Sequence, residues 1–132
     1  MAEPKRRNVP RKGAMGRAVH DVGGLDLGPI DRHEHDLALW EKRGDAMAIL
    51  LVAPQRRAFT LDAKRRVIEA FAEQEYDNTA YYEKWIRAIR NLLIEGEIVT
   101  REEIETKVAV VRKVMRAGGR KVSNGSVPWD AP

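Results

Sequence analysis

The chain of 132 residues contains no cysteine, which excludes disulfide bonds and thiolate metal sites within it. The three histidines include a pair in the triplet His33-Glu34-His35. This triplet offers two imidazoles, but no third ligand follows at a regular spacing. It is interpreted either as part of a metal site or, more simply, as a solvated loop or helix start. We predict no metal site in this chain.

Long apolar runs are also missing. The longest, Ala46–Ala53, is far shorter than the roughly 20 residues that a membrane-spanning helix needs, and it fits a buried helix end. The basic N-terminus has no apolar segment behind it, so we expect no secretory signal and, by default, a cytoplasmic location. Nucleophile elbows, phosphate loops and HExxH motifs are absent as well, so the chain is expected to be inactive as an enzyme on its own.

Positive charge is concentrated at the N-terminus. The net charge is +4, and residues 1–19 hold six Lys and Arg against Glu3 alone. Such a segment either binds nucleic acid or an acidic protein surface, or is a solvated arm. We predict a basic flexible arm at 1–19, a helical domain at 20–119 and a tail at 120–132. Trp129 either anchors this tail on a partner or is incidental.

Apolar residues recur at helical spacing, and no alternating strand pattern is present. The periodicity predicts four helices, at about 33–52, 60–73, 79–96 and 100–118. Asp31 and Thr60 are candidate N-caps, and Thr100 with Glu103 forms a capping box. The polar segment 73–78 is expected to be a loop. The predicted fold class is therefore all-α, with about four helices and extended arms at both ends.

The segment "HDVGGLDLGPI", residues 20–30, holds three glycines and a proline and cannot form a helix. Gly23 and Gly24 permit positive φ, and Val22 and Leu25 beside them indicate a docked segment instead of a simple linker. Ordering such an arm costs entropy that contact with a surface must offset. We therefore expect the arms to wrap a partner subunit.

Arg65 is the most unusual residue of the second predicted helix. Leu61, Arg65, Ile68 and Ala72 recur at helical spacing, so the guanidinium lies on or beside the predicted apolar face. Burying this permanent charge without an anion is costly. Either Arg65 snorkels to solvent, or it meets an anion. Lys64 also lies within this face by angle and is expected to snorkel.

The segment "TAYYEKW", residues 79–85, opens the third predicted helix. Tyr81 and Trp85 are four residues apart and can line one surface, which would suit a small ligand with a polar head. Packing into the core is the alternative for both. Tyr82 points about 100° away from Tyr81, so the two tyrosines are not expected to share one environment.

Five segments occur together in a known family. "HDVGGLDLGPI", "LWEKRGDAMAIL", "FTLDAKRRVIE", "AYYEKWIRAIRNLL" and "GEIVTREEIE" stand in the family's order and nearly at its spacing. Over residues 20 to about 106 the chain resembles the N-terminal helical half of nitrile hydratase β subunits. No single segment is decisive, but the ordered set is specific.

The resemblance implies a subunit of a hetero-oligomeric lyase that hydrates a nitrile to an amide. In this family cobalt(III) or iron(III) is bound by the α subunit through partly oxidised cysteines. The β-subunit arginine that hydrogen-bonds those oxygens matches Arg65, and charge-assisted bonds from a fixed guanidinium suit such anions. Tyr81 and Trp85 match residues that border the substrate pocket. Leu61 matches a further lining position.

The sequence departs from the family in three respects. Lys64 stands where an aromatic residue is common, and the segment between Trp40 and Leu61 is about two residues longer. The β-rich second domain of a typical β subunit, which supplies another arginine, is absent. The resemblance thus implies a split β subunit, with a separate chain carrying that domain. Thiocyanate hydrolase, which has such a split, and the family's maturation chaperones (activators) are the alternatives. The chaperones usually lack the HDVGG arm.

Overall fold

The computed structural model describes residues 18–124 together with Val127 and Trp129. Within these residues the fold is all-α, as predicted, and contains five helices and no strand. They are α1 (Leu39–Val52), α2 (Leu61–Glu69), α3 (Glu73–Asn78), α4 (Tyr81–Glu95) and α5 (Arg101–Ala117). The predicted basic arm lies almost wholly outside the described residues.

Several helix ends form as the sequence predicts. The Thr60 hydroxyl accepts a hydrogen bond from the Ala63 amide at 3.1 Å and begins α2. Thr100 and Glu103 form the expected capping box at the start of α5. Gly96 is the C-cap of α4. In each case the side chain or glycine satisfies backbone groups that a helix end leaves unpaired.

The first helix begins later than predicted, at Leu39 and not near residue 33. Asp31 does not cap it. Its carboxylate accepts from the His33 amide at 2.9 Å, and this bond, followed by the contact with the His33 ring, lowers the pKa of Asp31. Such a local turn competes with helix formation. At the start of α1, the Ala38 amide instead donates a hydrogen bond to the Glu41 carboxylate at 2.7 Å.

The expectation of a polar loop at 73–78 was wrong, because this segment forms α3. A half-buried ion-pair network ties it to α4. Arg87 donates to Glu75 at 2.8 Å and to Glu83 at 2.7 Å. Tyr76 packs against the core, and the Lys84 ammonium lies 3.7 Å from its ring centroid. Tertiary contacts therefore stabilise a helix of six residues whose own sequence favours it weakly.

The third predicted helix begins two residues late for the same reason. Thr79 is the C-cap of α3 and is buried, so α4 begins at Tyr81.

The core lies where α4 packs against both α1 and α2. Few of its buried apolar residues come from any one helix. They are Ala48, Phe59, Val67, Phe71, Ala88, Ile89 and Leu92. Gly44 of α1 is buried and faces Ile86 of α4, where an added Cβ atom would make ordinary van der Waals contact at 3.4 Å. The run 46–53 is only partly buried, since Ile49 and Leu50 are exposed.

The fifth helix adds no buried residue to this core. On this helix Val111 is 43% exposed and Val114 is 66% exposed. Much of the apolar surface of α5 is therefore uncovered within the described chain.

Trp129 packs on its own chain between α4 and α5. Its indole nitrogen donates to Glu105 at 2.7 Å. The guanidinium groups of Arg90 and Arg101 lie 4.5 and 4.2 Å from the ring centroid. These contacts give the residue an intramolecular role, so a partner is not needed to hold it.

We expect Arg87→Met to lower the free energy of unfolding by about 1.5 to 3 kcal/mol, because it removes the charge-assisted hydrogen bond from Arg87 to the half-buried Glu75. Arg66→Met is the matched control. Its pair with Glu95 is more than half exposed, so the loss should stay below about 1 kcal/mol. Urea unfolding followed by circular dichroism measures both, and equal losses would contradict a role for Arg87 in holding α3.

Candidate functional site

A pocket of about 550 Å³ opens between α2 and the start of α4. Leu61, Arg65, Tyr81 and Trp85, the four residues predicted from the sequence, all line it. The other lining residues are His20, Lys64, Ile68, Glu69 and Tyr76. The predicted residues, which are up to 24 positions apart in the sequence, are therefore brought to one place by the packing of α2 against α4.

Three aromatic rings form one side of this region. The ring centroids of Tyr81 and Trp85 are 5.4 Å apart, and Tyr82 meets Tyr81 edge to face at 5.1 Å. The expectation that the two tyrosines are separated was thus only partly right. Their Cβ atoms diverge, but the long side chains bring the rings together, while Tyr81 is 64% exposed and Tyr82 is half-buried.

The buried face of α2 differs from the predicted one. Lys64 and Val67 of α2 and Phe71, two residues after its end, are buried, whereas Leu61 and Arg65 are exposed. The true stripe therefore runs at i, i+3 and i+7 from Lys64. The apolar pair Val67 and Phe71 carries this signal in the sequence, but a lysine at the third position hides it from a count of apolar residues.

Lys64 does not snorkel to solvent as expected. It is only 4% exposed, and its ammonium lies 3.2 Å from the centroid of the Trp85 ring. Burial lowers the pKa of this ammonium, the negative charge of Asp45 opposes the shift, and the neighbouring Arg65 adds to it. Within the described residues no carboxylate forms an ion pair with Lys64. The contact with the indole is its main compensation.

Arg65 is positioned at the opening of the pocket. Its side chain is exposed, and the structure gives it no hydrogen bond or ion pair with another described residue. The next residue, Arg66, is different, because it is held by Glu95 at 2.9 Å. The donors of Arg65 are therefore available to an anion from outside this part of the chain.

The glycine-rich arm reaches the same pocket, which the sequence predicted only as a docked segment. Val19 is buried, and the His20 ring nitrogen lies 3.9 Å from the Glu69 carboxylate. Gly24 adopts the expected positive φ of 74°. Both His20 and Glu69 line the pocket, although neither was predicted as a site residue.

Among the described residues, no cluster of three or more His, Asp or Glu side chains could hold a metal ion. The His33 side chain of the HEH triplet is 97% exposed, and its Nδ1 atom lies 2.8 Å from the Asp31 carboxylate. In the same part of the chain, no helix is long and apolar enough to cross a membrane.

Comparison with known proteins decides the family. Residues 16–125 match the family described as the N-terminal part of the nitrile hydratase β subunit. The chain belongs to this family. It is 32% identical to the nitrile hydratase β subunit of Pseudomonas putida over 99 residues, which cover 72% of this chain and 45% of the relative. The chain thus spans about half the length of the nitrile hydratase β subunits it matches.

A thiocyanate hydrolase subunit is also similar to this chain. This β subunit from Thiobacillus thioparus is 29% identical over 106 residues, which cover 80% of this chain and 66% of that subunit. A solved structure of the recombinant apo-enzyme superposes with a TM-score of 0.69 at 27% identity. The match covers 87% of this chain and 72% of the solved chain. The fold of this nitrile hydratase β-type chain is therefore shared with a thiocyanate hydrolase chain.

The lowered pKa of Lys64 predicts a pH-dependent stability. In the window between that pKa and the ordinary value of 10.5, the unfolded chain still binds the proton that the folded chain has released. The free energy of unfolding therefore rises with pH across this window, and the penalty of burying the ammonium is full below it. Lys64→Met removes the penalty, so its stability advantage over the wild type should shrink as the pH rises.

Urea unfolding between about pH 7 and about pH 10.5 measures this difference. Lys42→Met, at an exposed position of α1, is the control and should follow the wild type throughout. A constant difference between Lys64→Met and the wild type would contradict the burial of a charged Lys64.

Proposed function

We propose that this chain is a β-type subunit of a nitrile hydratase complex and supports a metal centre carried by a partner α subunit. The complex adds water across a C≡N bond, so that a nitrile becomes an amide. Membership of the family supports this assignment. When bound in the partner, cobalt or iron supplies the Lewis acidity for that addition. The residues of this chain bind, orient and exclude water around the reacting group.

The availability of the Arg65 guanidinium carries the proposal. Arg65 lines the pocket and is paired with no described residue, while its neighbour Arg66 is held in an ion pair. We assign Arg65 to hydrogen bonds with the oxidised cysteine oxygens of the α subunit. A planar fork of donors matches sulfinate and sulfenate oxygens, and such bonds orient the thiolates that bind a metal.

Tyr81, Trp85 and Leu61 are proposed to border the substrate. The two aromatic rings and the leucine provide an apolar surface beside the guanidinium. An apolar wall with a few polar groups is the usual composition of a site for a small organic molecule. The Tyr81 hydroxyl is exposed at the pocket and is available to orient a polar substrate group.

Exposed apolar residues support assembly with other chains. Leu39, Ile49 and Leu50 of α1 are each more than 60% exposed, as is Val114 of α5. Contiguous exposed apolar surface commonly marks a protein interface. We propose the α subunit as the first partner, with a separate chain supplying the β-rich domain as the second. The active complex is expected in the cytoplasm.

Thiocyanate is the second candidate substrate. The chain covers more of the thiocyanate hydrolase β subunit than of the Pseudomonas putida nitrile hydratase β subunit, which favours this alternative. In that reaction thiocyanate and two water molecules yield carbonyl sulfide, ammonia and hydroxide. Detection of carbonyl sulfide would therefore replace the nitrile assignment, whereas formation of an amide would support it.

We expect Arg65→Lys to reduce turnover by the assembled complex about 10- to 100-fold while metal content and helicity stay normal, because an ammonium cannot reproduce the fork of donors. Arg66→Lys is the matched control on the next position of α2 and should retain activity. Steady-state hydration assays and metal analysis of the purified complexes measure the effect. Wild-type turnover in Arg65→Lys would overturn the role of this arginine.

We also expect the chain to co-purify, in the active complex, with a polypeptide that carries cobalt or iron and oxidised cysteines. Affinity purification through this chain, followed by mass spectrometry and metal analysis, identifies the partners. The same experiment identifies any separate chain with the β-rich domain. If the active complex lacks this chain, which associates only before metal loading, the chain is a maturation chaperone instead.

A further inference from the structure

The proposed function leaves the charge of the substrate open, and one feature of the pocket bears on it. Lys64 is a buried cation at the wall that Trp85 forms. Its ammonium has no ion pair with a carboxylate of the described residues. Of the lining side chains, only Glu69 is an acid, and that carboxylate lies 3.9 Å from His20. Asp45 adds a negative charge near Lys64 from outside the lining, and the lining itself carries more positive than negative side chains.

Keeping a lysine at this position costs stability. Burial removes the hydration of the ammonium, and the contact with the indole offsets only part of that cost in free energy. A methionine has a similar length and would fill the same space without a charge. A group that breaks the packing rule in this way points to function more than to folding.

Lys64 and Arg65 are adjacent on α2 and line the same pocket. If Arg65 is engaged by the oxidised cysteines of the partner, its charge is largely neutralised there. The charge of Lys64 is not neutralised by those cysteines, and it acts on any molecule that lies against the Trp85 wall. A neutral nitrile offers this cation only a dipole, whereas a linear anion of the same size offers a full negative charge.

We propose that Lys64 makes the pocket selective for a small anionic C≡N substrate, of which thiocyanate is the representative, over neutral nitriles. The inference rests on the part of the proposed function that both candidate substrates share, a pocket completed by the α subunit, and it favours thiocyanate, the second candidate, over the nitrile. Lys64 acts in it as a specificity-determining residue: its charge stabilises the bound anion, and its contact with Trp85 holds the indole in place.

The test compares two substrates in the assembled, metal-loaded complex. The variants are Lys64→Met, which removes the charge, and Lys64→Arg, which keeps it, with Lys42→Met as an exposed control on α1. We measure kcat/KM for thiocyanate and for a neutral nitrile such as propionitrile. Where thiocyanate is bound but not turned over, its inhibition constant against nitrile hydration takes the place of kcat/KM.

In Lys64→Met the preference for thiocyanate over the nitrile should fall by about tenfold or more, the scale expected for a partly screened charge pair a few ångströms apart. Lys64→Arg should keep most of the preference, and Lys42→Met all of it. A role limited to packing would change both substrates equally. In the wild type, thiocyanate binding should weaken with added salt while nitrile binding should not, which tests the inference without any variant.

The outcomes separate the two proposals. An active complex whose preference is unchanged in Lys64→Met, or one that thiocyanate neither reacts with nor inhibits, overturns the assignment of Lys64 and leaves the proposed function standing. Equal losses on both substrates also overturn it. A metal-loaded wild-type complex that hydrates neither substrate overturns the proposed function itself.

Discussion

The contact between the Lys64 ammonium and the Trp85 ring determines the arrangement of the site. It joins α2 to α4 at a distance of 3.2 Å between the ammonium and the ring centroid, on the side of α2 where Lys64 and Val67 are buried. With α2 in this orientation, Arg65 is exposed at the pocket, and no described residue pairs with its donors. The same contact involves Trp85 of the aromatic wall, so one interaction holds both the cationic and the aromatic groups of the pocket.

The ends of the helices were predictable because they depend on local chemistry. Thr60, the Thr100–Glu103 box and Gly96 act through backbone groups a few residues away. The start of α1 and the existence of α3 were not predictable, for two reasons. Asp31 formed a competing turn with His33, and α3 depends on Arg87, which lies on another helix. Neither effect is visible in a periodicity count.

The membership of the pocket was predictable only through the family resemblance. Periodicity alone left two interpretations of Arg65, as a snorkelling residue or as a functional one. It also left two for Tyr81 and Trp85, as the wall of a ligand site or as part of the core. All three line the pocket together with Leu61. The burial of Lys64 was missed because a count of apolar residues treats a lysine as polar, even where it continues a buried stripe. Only the packing of α2 against Trp85 reveals it.

On the proposed function, a partner subunit completes this site and its chemistry. No described cluster of side chains fits a metal, whereas Arg65 has unused donors and α1 and α5 carry exposed apolar residues. Such a division assigns the reacting metal to one subunit and the orientation of its ligands and substrate to another. It also explains why the sequence contains no catalytic motif of its own.

The most direct measurement is an experimental structure of the purified complex at a resolution that shows sulfur oxidation. The account predicts that the Arg65 guanidinium donates to oxidised cysteine oxygens of a metal-bearing partner at about 2.7 to 2.9 Å, with Tyr81 and Trp85 facing the metal across the pocket. A structure in which Arg65 lies in solvent, or is paired with a carboxylate away from the metal, would contradict it.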